Sequence, residues 1–374
     1  MTTTVVVGGG IVGTMHAFIA HRAGLDVVQL ERDPAPRSAS VRNFGLVWVS
    51  GRADGAELTV ALRARELWED IGGQIPGIGF RAEGSLTVAL TEDEWQVMGD
   101  FAATPAAAER HIELLSPAEV RARNPALAGR TYGALWCGRD AIVEPGRVLG
   151  AIQGWLASQG RYRFCGGRNV VDVRPDAVLD QTGERHHADL VLLCTGDAHD
   201  DLVAEHLTGA PLRRVRLQMM QTAPLDLRLL TSVADADSLR YYPAYRQAPL
   251  ERLGPQDEVA AAHHMQLLMV QRASGGLTVG DTHSYDEPFD FAVDEAPYDY
   301  LKARAERILG CPLPPVERRW AGVYSQRTDD GVCFRSEVRP GVWLMTGLGG
   351  RGMTCSPAVA EDTLRAAGVL GAPL

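Results

Sequence analysis

The sequence predicts an α/β fold, with a parallel sheet flanked by helices joined to a second, mainly antiparallel sheet. Three observations predict it. Residues 4–33 run through a β-branched strand, a glycine turn, a helical pattern and a second strand. Apolar runs at 188–196 and from 341 have the continuous hydrophobicity of strands covered on both faces. Between these two runs, residues 216–221, 264–272 and 277–282 read as strands of one antiparallel sheet.

Composition narrows the function classes. The chain has 374 residues, 45% hydrophobic and 22% charged, which is enough for a folded protein of two domains. A net charge of −10 argues against a general nucleic-acid binder, which needs a basic face. An eighteen-residue apolar window is absent, so no membrane span is expected. The first strand begins at Val5 with no basic stretch before it, so no secretory leader and a cytoplasmic location are expected. The six Cys form no C-x-x-C pair, so free thiols are expected rather than disulfides or a metal site.

The N-terminal unit carries the first chemistry. Val5 to Val7 lead into Gly8-x-Gly10-x-x-Gly13, a helix closed at Gly24, and a strand from Asp26 ending in Glu31. Gly8 permits the tight turn, Gly10 lets backbone approach a pyrophosphate, and Gly13 lets the helix pack on the strand. The helix N-terminus offers unpaired N–H groups to an anion. Glu31 stands near the spacing expected of a ribose-binding carboxylate, about 20 residues beyond the glycines. This is a Rossmann-type unit, and by itself it allows NAD or FAD. The strand ADLVLLCTG, ending in Thr195–Gly196, and the segment GVWLMTGLGGRGMTCSPAVAE, which returns the chain to the first domain, favour FAD.

On these residues the sequence resembles the D-amino-acid oxidase/glycine oxidase/sarcosine oxidase superfamily. The resemblance also takes in Leu115–Pro125, the segment from Asp140 to Gly160 with Glu144–Pro145, and TGLGGRGMTCSPA. The stretches Ser40–Trp48 and Val279–Tyr285 are similar to a narrower subgroup associated with aminophosphonate use. The resemblance implies a discontinuous FAD-binding domain of residues 1–50, 140–215 and 320–374. Residues 51–139 and 216–319 would then form the substrate domain and its associated helices. It implies non-covalent FAD held by Gly8, Gly10, Ile11, Val12, Gly13, Glu31 and Arg32. Ser40, Arg42, Asn43, Phe44 and Gly45 would wrap the flavin ring. Val171, Cys194, Thr195 and Gly196 would add contacts, and Gly347, Gly349, Gly350, Gly352, Met353 and Thr354 would close over it. Gly196–Asp197 superficially matches the GD signature of flavoprotein hydroxylases, but no Pro follows closely, and Asp197 reads as a loop or capping residue.

The implied reaction is dehydrogenation of a small amine, with hydride passing from the α-carbon to flavin N5 and oxygen reoxidising the flavin to give hydrogen peroxide. A helix starting near Met353–Ser356 would stabilise charge on the reduced flavin. Arg351 is the expected anion-binding side chain, because a planar guanidinium can grip two oxygens. Tyr324 stands where glycine oxidase-like enzymes carry a carboxylate-binding Arg, and Arg327 is a substitute three residues on. That departure leaves room for a different anion or a secondary amine. His283 is the candidate acceptor of the amine proton. Tyr242, with Tyr241 and Tyr245, is the candidate aromatic wall. Two other classes stand beside this reading: an NAD-dependent dehydrogenase, and a non-catalytic flavin-binding component of an oxidase complex.

Overall fold

The computed structural model describes residues 2–174 and 176–371. A six-stranded sheet runs in the order Phe334–Arg339, Val342–Thr346, Leu190–Leu193, Thr3–Val7, Asp26–Glu31 and Tyr162–Gly166. All its pairings are parallel except that of the edge strand Phe334–Arg339. Thr3–Val7 is central, and its Val5 and Val6 are fully buried, as the apolar run predicts. The C-terminal helix Gly352–Ala366 packs between the first helix, Ile11–Arg22, and the helix Ala56–Gln74. This brings residues from both the start and the end of the described chain to one place.

The larger sheet has eight strands, in the order Val316–Arg327, Leu212–Pro224, Gly276–Gly280, Leu268–Gln271, Ser232–Asp235, Ser85–Ala89, Gly133–Cys137 and Ile112–Leu115. Its pairings are antiparallel except between Ser232–Asp235 and Ser85–Ala89. The strand expected over 264–272 begins only at Leu268. His264 has φ +48, outside the extended region, and cannot continue a ladder. Residues 320–327, grouped above with the FAD-binding segments, lie in the edge strand Val316–Arg327 and pair along the length of Leu212–Pro224. Thr91 and Glu94 form the expected capping box, each side chain accepting from the other's backbone N–H. Asp197 lies in a loop, and the short helix after it starts at Asp201.

One buried carboxylate positions the segment that crosses between the sheets. Asp140 accepts hydrogen bonds from Val49 N, Ser50 N, Ser50 Oγ and Ser85 Oγ. It therefore fixes residues 49–52 against the strand Ser85–Ala89. All six cysteines are free thiols. No described helix is long and apolar enough to cross a membrane.

Candidate cofactor and active site

The glycine turn between the first strand and first helix opens onto a cavity of about 620 Å³. Gly8 has φ +113, and a Cβ there would sit 2.2 Å from the Cys194 carbonyl oxygen. A Cβ on Gly13 would sit 2.1 Å from the Gly8 carbonyl oxygen. Both glycines are required by protein packing. Gly10 differs, because the nearest atom to a Cβ there is Ser40 Oγ at 3.1 Å, and the residue borders the cavity. Ser40 Oγ accepts from Ile11 N at 2.9 Å, tying the 38–43 loop to the helix start. Glu31 is held at the cavity edge, with Oε2 accepting from Gly9 N at 2.7 Å and Oε1 from Asp33 N at 3.0 Å.

The opposite wall comes from distant strands. Cys194, Thr195 and Gly196 border the cavity after the strand Leu190–Leu193, as do Gly347 and Gly349 after Val342–Thr346. Val12, Arg32 and the half-exposed Val171 complete the rim. A Cβ on Gly196 would meet nothing within 4 Å, and one on Gly352 only Ile11 Cγ2 at 4.0 Å. Open space before three glycines at a helix N-terminus is the shape a phosphate-bearing dinucleotide requires, so these residues fit that ligand.

A second cavity, of about 600 Å³, shares Ile11, Ser40, Tyr324, Gly349 and Gly352 with the first, so the two form one cleft. Phe44, Trp48, Leu217 and Met219 supply apolar surface, and Met353 borders it too. The Tyr324 and Tyr241 hydroxyls stand 3.7 and 4.0 Å from where a Gly350 Cβ would be. Burial pushes the phenols of Tyr241, Tyr242 and Tyr324 upward, so they stay protonated and can donate hydrogen bonds. His283 is nearly fully buried and stacked on Tyr241, with ring centroids 4.4 Å apart. Its Nδ1 meets the His264 carbonyl oxygen at 2.9 Å and must donate there, which leaves Nε2 as an acceptor.

The charges at this end differ from the sequence expectation in one respect. Arg351 borders the cavity, but its three nitrogens are engaged by Leu348 O, Gly331 O and Glu57 Oε2. Glu57 Oε1 also lies 3.5 Å from Nη1 of Arg52. Two guanidinium groups thus share one carboxylate. Arg52 is 4% exposed, borders the cavity and sits over the Tyr242 ring at 5.5 Å. Sequence reasoning missed it, because nothing in Gly51–Arg52 marks it before the Asp140 hydrogen bonds set its position. Asp281 and Gln266, also in this wall, were not singled out as site residues either.

Other expected side chains are turned elsewhere. Asn43 donates to Ala39 O and Ser40 O and accepts from Gly45 N, so its amide is used within its own loop. Arg42 borders the cavity while donating to Ala321 O. Arg327 borders it too, but is paired with Asp329. Gly13, Gly45 and Thr354 border neither cavity. Gly45 is needed at φ +71 against the Val143 carbonyl oxygen, and Thr354 Oγ1 accepts from Trp48 N at 2.9 Å. Tyr245 is buried against Phe101 instead of lining the site.

The family model described as "FAD dependent oxidoreductase" matches residues 3–365. The chain belongs to that family. FAD is therefore its cofactor, and the protein is an FAD-dependent oxidoreductase. One of the two opine oxidase chains of Rhizobium meliloti is 29% identical over 360 residues, covering 91% of this chain and 86% of that protein. The fold is also that of glycine oxidase from Bacillus cereus, with a TM-score of 0.78 at 18% identity over 98% of this chain and 95% of that one. L-proline dehydrogenase from P. horikoshii superposes with a TM-score of 0.76 at 20% identity, over 98% and 94% of the two chains.

Proposed function

We propose that this family member oxidises a small amine carrying an anionic group, an amino acid, N-methyl amine or aminophosphonate, with oxygen as the final electron acceptor. The observation that carries this reading is the surplus positive charge of Arg52 and Arg351 around the single carboxylate of Glu57, buried in the cavity wall. A buried uncompensated cation is costly, and a substrate anion would complete it. Arg52 is the better placed of the two, because Arg351 is saturated by its protein partners. Bound FAD supplies the hydride acceptor. The chain's own residues hold the substrate anion at Arg52, confine the carbon skeleton between Phe44, Leu217 and Met219, and present His283 Nε2 to the amine.

The cofactor is held without a covalent bond in this reading. Cys194 borders the cofactor cavity, but burial drives its thiol upward and keeps it protonated. Cys355 is fully buried, borders neither cavity, and is pushed up to about 12. The test is anaerobic mixing of the yellow protein with sarcosine, N-methyl-2-aminoethylphosphonate, iminodiacetate and, as an uncharged control, N-methylpropylamine. Bleaching of the flavin by an anionic amine, with peroxide formed on readmitting air, supports the proposal. Equal rates with N-methylpropylamine refute the anionic requirement.

A further inference from the structure

One wall of the substrate cavity carries a surplus of hydrogen-bond acceptors. Asp281 is 6% exposed and follows the strand Gly276–Gly280, its backbone N–H donating to Gln266 O at 3.0 Å. Its Oδ1 has no hydrogen-bond partner, and neither has Gln266 Oε1. Its Oδ2 lies 3.8 Å from His283 Nε2, which is itself an acceptor because Nδ1 donates to His264 O. All three residues border the substrate cavity. A buried carboxylate among acceptors lacks a donor, and an ammonium offers both donors and a proton.

We propose that Asp281 takes the proton of the bound substrate ammonium, with His283 Nε2 as the second acceptor that orients the nitrogen. This rests on the amine-oxidising reading above. In the step, one N–H bond of the ammonium breaks, an O–H bond forms on Asp281, and the electron pair stays on nitrogen. The neutral amine is the form that can release hydride from its α-carbon. The nitrogen must therefore carry at least one hydrogen in its ammonium form, and a quaternary ammonium cannot be processed.

The surroundings suit a base. Facing Asp281 are His283 and Tyr285 from its own segment, His264 and Gln266 from the preceding loop, Tyr241 and Tyr242 from the helix Asp237–Tyr241 and the residue after it, and Tyr324 from the strand Val316–Arg327. The phenols are protonated by burial, so of these groups only the His264 and His283 imidazoles can carry positive charge. Burial raises the Asp281 carboxyl above its ordinary range, which strengthens it as a base.

Asp281→Asn keeps the shape and removes the base. The variant should purify with FAD and be reduced by dithionite as the parent is. Its bleaching rate with the fastest amine of the panel should fall by about 100-fold or more, the scale of general base catalysis. The rise of that rate with pH should move upward by about one pH unit or more, towards the free amine's own titration, because solvent must now remove the proton. Binding of the thioether counterpart, in which sulfur replaces the N–H of sarcosine as (methylthio)acetate or of iminodiacetate as thiodiacetate, should change less than about threefold, since no proton is involved. An unaltered pH profile overturns the proposal. So does an equal loss of affinity for thioether and amine, which would make Asp281 structural. If the parent protein is bleached by none of the amines, the functional reading itself has failed. If the parent is bleached and the Asn variant behaves identically, only the assignment of Asp281 has failed.

Discussion

Arg351 Nη1 lies 2.6 Å from Glu57 Oε2, and both side chains are largely buried, so this pair is part of the frame of the cavity. Removing one member of a buried pair costs about 3–5 kcal/mol, because the other charge is left behind. Arg351→Ala should therefore lower the melting temperature clearly, tempered by Arg52 on the other oxygen of Glu57. Arg52→Ala should act on substrate instead, with a loss of about 2–5 kcal/mol in kcat/KM for an anionic amine. Arg52→Lys should recover only part, having no planar fork. Thermal melts and kinetics on both variants check the contrast. Equal effects on stability and KM from the two would remove the distinction.

The glycine turn makes a second contrast. Gly13→Ala forces a Cβ to within 2.1 Å of the Gly8 carbonyl oxygen, and should unfold or strongly destabilise the first strand–helix unit. Gly10→Ala meets only Ser40 Oγ at 3.1 Å, so the protein should fold and melt near the parent while losing FAD. Apoprotein melting curves and FAD titrations read the two effects separately.

Glu31 is held by Gly9 N and Asp33 N at the cavity edge, in position to accept from ribose hydroxyls. Glu31→Ala should weaken FAD retention by roughly 1.5–3 kcal/mol, the value of a charge-assisted hydrogen bond. Fluorescence titration of apoprotein with FAD measures it, and an unchanged affinity would place the ribose elsewhere.

His16 gives a pH dependence of stability. It is fully buried in the first helix, with Nδ1 bonded to Val12 O at 2.7 Å and Nε2 without a partner. Burial holds it down at about 4, below the ordinary histidine value. The unfolded chain therefore takes up a proton that the folded chain refuses, and stability contributed above pH 6.5 is lost as pH falls towards 4. Full loss corresponds to about 3 kcal/mol. Urea unfolding of the parent and of His16→Leu at a series of pH values should show the two curves converge or cross in that window. Parallel curves would show that His16 is not the group responsible.

The cofactor half of the site was legible because its information is local. Strand, glycine turn, helix and Glu31 lie within one short stretch, and each glycine has a steric reason that sequence spacing exposes. The helix Ala56–Gln74 and the Thr91 capping box were readable on the same ground. The substrate half was not. Arg52 is a site residue only because Asp140 fixes residues 49 and 50 from across the chain. Arg351 reads as a free anion binder until Glu57, far away in sequence, is seen beside it. Asn43 looks like a flavin contact by type and place, yet short-range bonds to Ala39 and Ser40 satisfy it, a competition typical of Asn in loops. Asp281 and Gln266 come together through a single backbone bond between neighbouring segments of the larger sheet, which no spacing reveals.

The hydrogen bond from Trp48 N to Thr354 Oγ1 joins residues 306 positions apart, and the helix beginning at Gly352 lies directly against the one beginning at Ile11. During synthesis the glycine turn emerges first but has no opposite wall until the ribosome has released residues 342–366. The nascent chain must therefore carry an unclosed apolar half-site through most of its translation, at roughly 5–20 residues per second, a window in which chaperone protection matters more than for a protein closed by local contacts. FAD supplied early in expression cannot rescue a truncated chain, whereas FAD present at release can trap the closed form.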